Sequence, residues 1–233
     1  MVKNNNIISF KNMDEFNRFL RTKQLSKKLG NNSEGSCYLS SKDNSAYKIL
    51  EYSLFEATSN AHKLPEIITT KDINLKSFAL PQELYSISQK LVGYKAEYIT
   101  ADLFNYKDLI MNPESIQKIN FNSLKKAYYK MLKDIEKLSQ ENIKIIDLPC
   151  NLMFTGKRLV GIDTCFYRRE NTNPLNQNIV SLNESIKEVF DSWLVFNLEK
   201  NERAEYISTE EQDMIEYLNK INKIATKVKK RIK

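Results

Sequence analysis

The spacing of apolar residues changes half-way along this chain. Up to about residue 100 they come in short extended pieces broken by polar turns. Tyr47-Lys48-Ile49-Leu50, Phe78-Ala79-Leu80 and residues 90–99 read as strands. Residues 31–35, Asn-Asn-Ser-Glu-Gly, and the serine- and asparagine-rich stretch 40–45 read as turns. Residues 14–20 predict a short leading helix with Phe16, Phe19 and Leu20 on one side, and Pro65-Glu66 predicts the start of another. Beyond residue 100 the period becomes helical. Leu124, Ala127, Tyr128, Met131, Ile135 and Leu138 recur every three or four residues and predict a helix over 123–141 with one buried face. Ile186, Val189, Phe190, Trp193 and Leu194 predict a second over 182–198. A capping box of Ser208 and Glu211 opens a third, carried on through Ile215, Leu218, Ile221 and Val228. Between the first and second helices lie an apolar, β-branched stretch, 143–154, and a short strand, 159–162, joined by a hairpin turn at Thr155-Gly156-Lys157.

Composition narrows the picture little. The 233 residues are 41% hydrophobic and 28% charged, ordinary values for a globular protein. The net charge of +7 is spread along the chain apart from a basic cluster at 227–233. It reads as a solvated surface with a basic helix end. An RNA-binding reading would rest on charge alone, so nucleic acid is not an expected partner. Cys37, Cys150 and Cys165 are odd in number and none stand at C-x-x-C spacing, which argues against a disulfide framework or a zinc site. Neither a signal peptide nor a membrane-spanning apolar run is visible, so a reducing cytoplasm and no membrane partner are expected. The single histidine, His62, has no metal-binding companion around it and reads as a packing or surface residue.

Three segments carry chemistry. Residues 29–38 read L-G-N-N-S-E-G-S-C-Y, a polar turn in which Gly30 and Gly35 would let backbone N–H groups approach phosphate oxygens. Lys48 follows inside an apolar strand, where an ammonium needs an anionic partner, a nucleotide phosphate or a helix carboxylate. Past the first long helix come I-I-D-L-P-C-N, residues 145–151, and G-I-D-T-C, residues 161–165.

Together these segments resemble the protein-kinase superfamily, over about residues 29–166. The glycine loop of that family is matched at Leu29, Gly30, Gly35 and Tyr38, with Asn32 and Cys37 replacing a glycine and a valine. Lys48 takes the place of the strand lysine that grips phosphates. Residues 91–99, L-V-G-Y-K-A-E-Y-I, look like the strand entering the kinase hinge. The resemblance then implies that the Glu97 carbonyl and the Ile99 backbone bond adenine, with Ala96 gating the pocket. Pro149 and Asn151 match the family's Pro-x-Asn, and Asp163 its second Asp; the resemblance implies that Asn151 and Asp163 hold magnesium through their hard oxygens. Asp147 would be the catalytic carboxylate, one residue closer to Asn151 than the family spacing, which instead falls on Ile146. The usual His-Arg before that Asp is absent, and Thr164 and Cys165 replace the Phe-Gly after the second. The glutamate that pairs with the strand lysine would be Glu66, with Glu56 the other candidate.

The resemblance implies an α+β, two-lobed kinase-like fold. A small antiparallel-sheet lobe would span 1–100 and a reduced helical lobe 101–233, as in small bacterial-type kinases and aminoglycoside phosphotransferases. ATP and Mg2+ would bind between the lobes. The implied activity is phosphoryl transfer to a protein or small-molecule hydroxyl. The alternative is a pseudokinase that binds nucleotide or a partner without transfer. The resemblance also places all three cysteines around the nucleotide.

Overall fold

The computed structural model describes residues 7–32, 35–51, 75–100, 113–149, 151–198 and 213–231. The chain divides into two compact units. One comprises Met1–Asn74, Ala79–Ile99 and Asp163–Arg168, the other Leu75–Phe78, Thr100–Ile162 and Arg169–Lys233. The expected mixed α+β class holds, with a multistranded sheet in the first unit and long helices in the second.

The sheet has six strands: β1 (Ile7–Phe10), β2 (Leu25–Asn32), β3 (Gly35–Ser40), β4 (Ser45–Leu50), β5 (Glu83–Ile87) and β6 (Lys90–Glu97). Their order is β1-β5-β6-β4-β3-β2. The pairings from β5 through β2 are antiparallel, but β1 lies parallel to β5. The sheet is therefore not wholly antiparallel as expected. A parallel neighbour requires a crossover rather than a hairpin, and α1 (Met13–Thr22) leads away from β1 to begin one. Residues 78–80, read as a strand, contribute only an isolated bridge from Phe78 to Gly161.

Helix α1 covers one face of the sheet. Its Asn12 cap accepts from the Glu15 N–H at 3.0 Å, and the Glu15 carboxylate accepts from the Lys11 N–H at 2.7 Å. Phe16 and Leu20 are buried among Phe10, Tyr47, Tyr85, Ile87 and Val92, with Phe19 packed against them, as the sequence pattern predicts. Gly93 makes the close approach possible: a Cβ there would lie 2.6 Å from the Lys48 carbonyl oxygen and 3.4 Å from the Phe16 ring.

At the edge of this core Tyr47 donates to Asp43 at 2.8 Å and Lys95 pairs with it at 2.9 Å. Burial pushes the Asp43 carboxyl up, but hydrogen bonds from Lys95, Tyr47 and Ser40 outweigh it and hold the group down at about 2. A depressed carboxyl binds fewer protons folded than unfolded. Its stabilisation is therefore complete above the unfolded value of 3.8 and is lost as pH falls through about 2. Asp43→Asn is expected to remove this component, so that stability, followed by urea unfolding, falls less steeply between those two pH values than in the wild type. Parallel profiles would exclude it.

In the helical unit, α2 (Phe121–Gln140) is capped by Asn120, whose side chain accepts from the Ser123 N–H at 3.0 Å. All six apolar positions read from its period are buried. So is Asp134, which the pattern does not reveal; one of its oxygens accepts from the N–H groups of Lys76 and Ser77, both at 3.0 Å. Strands β7 (Ile143–Lys144), β8 (Leu152–Phe154) and β9 (Leu159–Gly161) follow, β8 and β9 forming the expected hairpin, with Gly156 at φ +80° in its turn.

Helix α3 (Leu175–Asn197) begins before the predicted residue 182: Leu175 and Ile179 carry its apolar spacing further back, but Asn176, Gln177, Asn178 and Ser181 among them mask it in the sequence. Helix α4 (Met214–Arg231) opens on Asp213, whose carboxylate accepts from the Ile215 N–H at 2.6 Å. Ser208 and Glu211, expected to open that helix, lie outside the described residues, as do Glu56, His62, Pro65, Glu66 and Cys150. Among the described residues no helix is long and apolar enough to cross a membrane.

Candidate functional site

Strand β4 places Lys48 between two neighbours, opposite Cys37 on β3 and Tyr94 on β6. The lysine is 6% exposed. A buried ammonium needs a charge partner, and Nζ donates to Asp163 Oδ2 at 3.0 Å across a sequence separation of 115 residues. The partner is thus the second aspartate of the motif set. The Glu66 pairing expected from the resemblance falls outside the described residues.

Asp163 stands just after β9, not within a strand. Its backbone is left-handed, at φ 55° and ψ 40°, and it precedes a short 3₁₀ turn, Thr164–Phe166. Aspartate tolerates that conformation better than a β-branched residue would. Thr164 is buried and donates through Oγ1 to the Ala79 carbonyl at 2.9 Å, fixing the turn to the sheet unit. Tyr94, buried, donates to Asp163 Oδ1 at 2.5 Å. Burial raises the Tyr94 phenol well above its ordinary range and the Asp163 charge adds to this, so the hydroxyl remains a donor. Burial likewise pushes the Cys37 thiol up, Lys48 pulls it back and Asp163 pushes it further. Cys165 is buried beside Tyr94, Leu84 and Leu91. Two of the three cysteines therefore lie in the surroundings of Asp163.

The two glycines of the loop motif differ. Gly35 opens β3 at φ +152°, and a Cβ there would sit 2.1 Å from the Ile49 carbonyl oxygen, so the sheet itself demands glycine. Gly30 is exposed beside a bulge in β2, with nothing near the position of a Cβ. Asn31 and Asn32, read as turn, belong to β2, and residues 33–34 of that reading lie outside the described residues. Glu97 ends β6 and is exposed, while Ala96 and Ile99 are buried.

In the helical unit, the loop that holds Asp147 and Asn151 brings these two residues together. Leu148 is fully buried and anchors it, and its carbonyl accepts from the Asn151 N–H at 2.9 Å. Asp147 is exposed, with left-handed backbone at φ 54°, while Ile146 is half-buried, so Asp147 and not Ile146 presents its side chain outward. Asn151 Nδ2 donates to the Asp147 carbonyl at 2.8 Å and to its Oδ2 at 3.3 Å. The loop's entry is strapped by Asn178 of α3. Its Oδ1 accepts from the Ile145 N–H at 2.8 Å, and its Nδ2 donates to the Ile143 carbonyl and to Ser139 Oγ, both at 2.9 Å. Asn178 lies four residues before Leu182 on the apolar stripe of α3, the one signal that could have revealed it.

Removing the Asn178 amide leaves several buried polar groups without their partner, at about 1–3 kcal/mol each. Asn178→Ala is expected to lower unfolding free energy by roughly 3 kcal/mol, measured in urea. A loss under about 0.5 kcal/mol, the scale of a neutral surface change, would deny it this role.

No protein-family model matches the sequence, and no curated protein matches it. Among solved structures, a double mutant of the PknI kinase domain of Mycobacterium tuberculosis is similar at a TM-score of 0.46 and 10% identity, over 86% of this chain and 94% of that one. At that level of likeness neither ligand nor reaction transfers from one chain to the other.

Proposed function

We propose that this chain is an ATP- and Mg2+-dependent phosphotransferase acting on a hydroxyl of a protein or small molecule. The observation that carries the reading is the Lys48–Asp163 pair, two charges from distant motifs brought to 3.0 Å in a largely buried setting. A buried ion pair is weak as a stabilising device, because desolvation offsets its attraction, so its presence calls for a use. Phosphate oxygens would take the place of the carboxylate beside Lys48, and Asp163 would turn to a cation.

Asp163 and Asn151, each taken by itself, have the donor chemistry that magnesium prefers. Among the described residues no three His, Cys, Asp or Glu side chains cluster into a self-sufficient metal site. Magnesium needs no such cluster: it binds through one or two protein oxygens together with substrate phosphates. Asp163 offers a carboxylate. Asn151 offers an amide whose nitrogen is committed to Asp147, leaving its oxygen for a cation. Bound magnesium would neutralise charge on the phosphates.

The remaining roles belong to the chain. Gly30 and Gly35 would let the backbone approach the phosphates, and the Glu97 carbonyl and Ile99 backbone would hold adenine. Glu66 would hold Lys48 once the nucleotide has drawn it from Asp163. Asp147 would orient the acceptor and take its proton as the acceptor oxygen bonds to the γ-phosphorus and ADP leaves.

A second reading, a nucleotide- or partner-binding module without transfer, is favoured by one observation: the Asp147 carboxylate is engaged by Asn151 of its own loop. Incubation with γ-labelled ATP and Mg2+ separates the two. Label on the protein or on a component of a lysate supports transfer. Nucleotide-induced thermal stabilisation with no label anywhere supports the binding module, and neither effect overturns both.

A further inference from the structure

We propose that Tyr94 is a positioning residue that holds the Asp163 carboxylate for a divalent cation. This rests on the nucleotide reading above. Asp163 has a left-handed backbone and precedes a turn of only three residues, which by itself leaves the carboxylate free to rotate about its side-chain bonds. Two donors from adjacent strands fix it. Lys48 of β4 takes Oδ2 and Tyr94 of β6 takes Oδ1, and the two residues are register partners.

The two donors are not equivalent. Lys48 is a flexible cation that nucleotide phosphates would draw away. Tyr94 is a neutral donor on a rigid ring, packed among Leu50, Leu84, Leu91, Ala96 and Cys165, and it carries no charge that phosphate would draw away. When Lys48 leaves, the bond from Tyr94 remains and keeps the carboxylate plane set. Each carboxylate oxygen has two acceptor positions, so Oδ1 can keep the phenol bond while the group still coordinates a cation. Second partners of metal-binding carboxylates act in this way, and their loss typically weakens metal binding by one to two powers of ten.

The test is Tyr94→Phe, which removes one oxygen and keeps the ring. Mn2+ affinity is measured by electron paramagnetic resonance with a non-hydrolysable ATP analogue present, and affinity for the same analogue is measured without metal. The expected result is Mn2+ binding weakened about tenfold and metal-free nucleotide affinity unchanged within about twofold. A merely structural role would lower both together. Mn2+ affinity equal to wild type, or an equal loss in both measurements, overturns the Tyr94 proposal and leaves the nucleotide reading standing. Wild-type protein that binds neither the analogue nor Mn2+ with it overturns both. Should Tyr94→Phe not fold, the wild-type protein labelled with ¹³C at tyrosine Cζ answers the same question. Mg2+ added to the nucleotide complex is expected to shift the Tyr94 resonance, and an unmoved resonance overturns the proposal.

Discussion

Asp163→Asn is expected to reduce metal-dependent phosphoryl transfer at least about 10³-fold, the scale at which one element of transition-state charge stabilisation is felt. The substitution keeps the shape of the side chain and removes its charge. On the proposed reading the carboxylate is the protein's main cation ligand, and a neutral amide oxygen is a much poorer one for magnesium. A second effect comes with it. Lys48 is 7% exposed at its side chain, and its contact at 3.0 Å would meet an amide in place of a carboxylate. Breaking a buried pair by removing one charge costs up to about 3–5 kcal/mol. Asparagine retains an acceptor, so a loss nearer the 1–3 kcal/mol of an impaired buried hydrogen bond is expected. The protein should therefore remain folded at 25 °C with a lowered urea midpoint. Transfer and melting are measured on the same preparation. Wild-type transfer with a normal melt would remove Asp163 from the site. Asp147→Asn has a different signature: transfer lower by about 10²–10⁴, with nucleotide affinity nearly unchanged.

Trp193→Ala is expected to give the largest loss of stability of any single truncation in the helical unit, about 3–5 kcal/mol. Trp193 is fully buried on α3, in the same stripe as Phe190, whose ring stacks on Phe121 of α2 at 5.8 Å. Truncation leaves a cavity that two packed helices cannot close without moving apart. Set against a total of about 5–15 kcal/mol for a domain, that loss takes a large share of the whole. Circular dichroism in urea is the suitable measurement, since Trp193 is the only tryptophan and its fluorescence disappears with it. Phe196, three residues on but 67% exposed, is the control, and its alanine variant should change stability by less than about 0.5 kcal/mol. Equal losses at both positions would contradict the packing described for α3.

Much of this architecture is legible in the sequence where one face of an element is uniformly apolar. The α2 stripe was readable for that reason, and so was Lys48, because a lone charge in an apolar strand stands out. Two kinds of feature were hidden. Short strands such as Ile7–Phe10 and Glu83–Ile87 carry too few residues to show a period, and the parallel pairing of β1 with β5 depends on contacts far apart in the chain. Polar residues that point inward were the other kind. Asn178, Asp134 and the Tyr94 hydroxyl are recognisable only when the groups they bond, on other elements, are known. Gly35 belongs between the two, since its place in a motif was plain but the sheet contact that requires it was not.

The strand order has a consequence for a chain that emerges from the ribosome one end first. β2, β3 and β4 are consecutive in sequence and neighbours in the sheet, so they can pair as they appear. β1 and the far side of β4 cannot: what lies between them is the β5–β6 hairpin, and Ser9 meets its partner Ser86 only 77 residues later. Until the hairpin is made, β4 presents an open row of backbone donors and acceptors, and closing so long a loop slows completion of the sheet. Nascent fragments that stop short of Glu83 should therefore be the sticky ones, held back from self-association by chaperones or lost to aggregation, while those that include Glu97 should bury that edge.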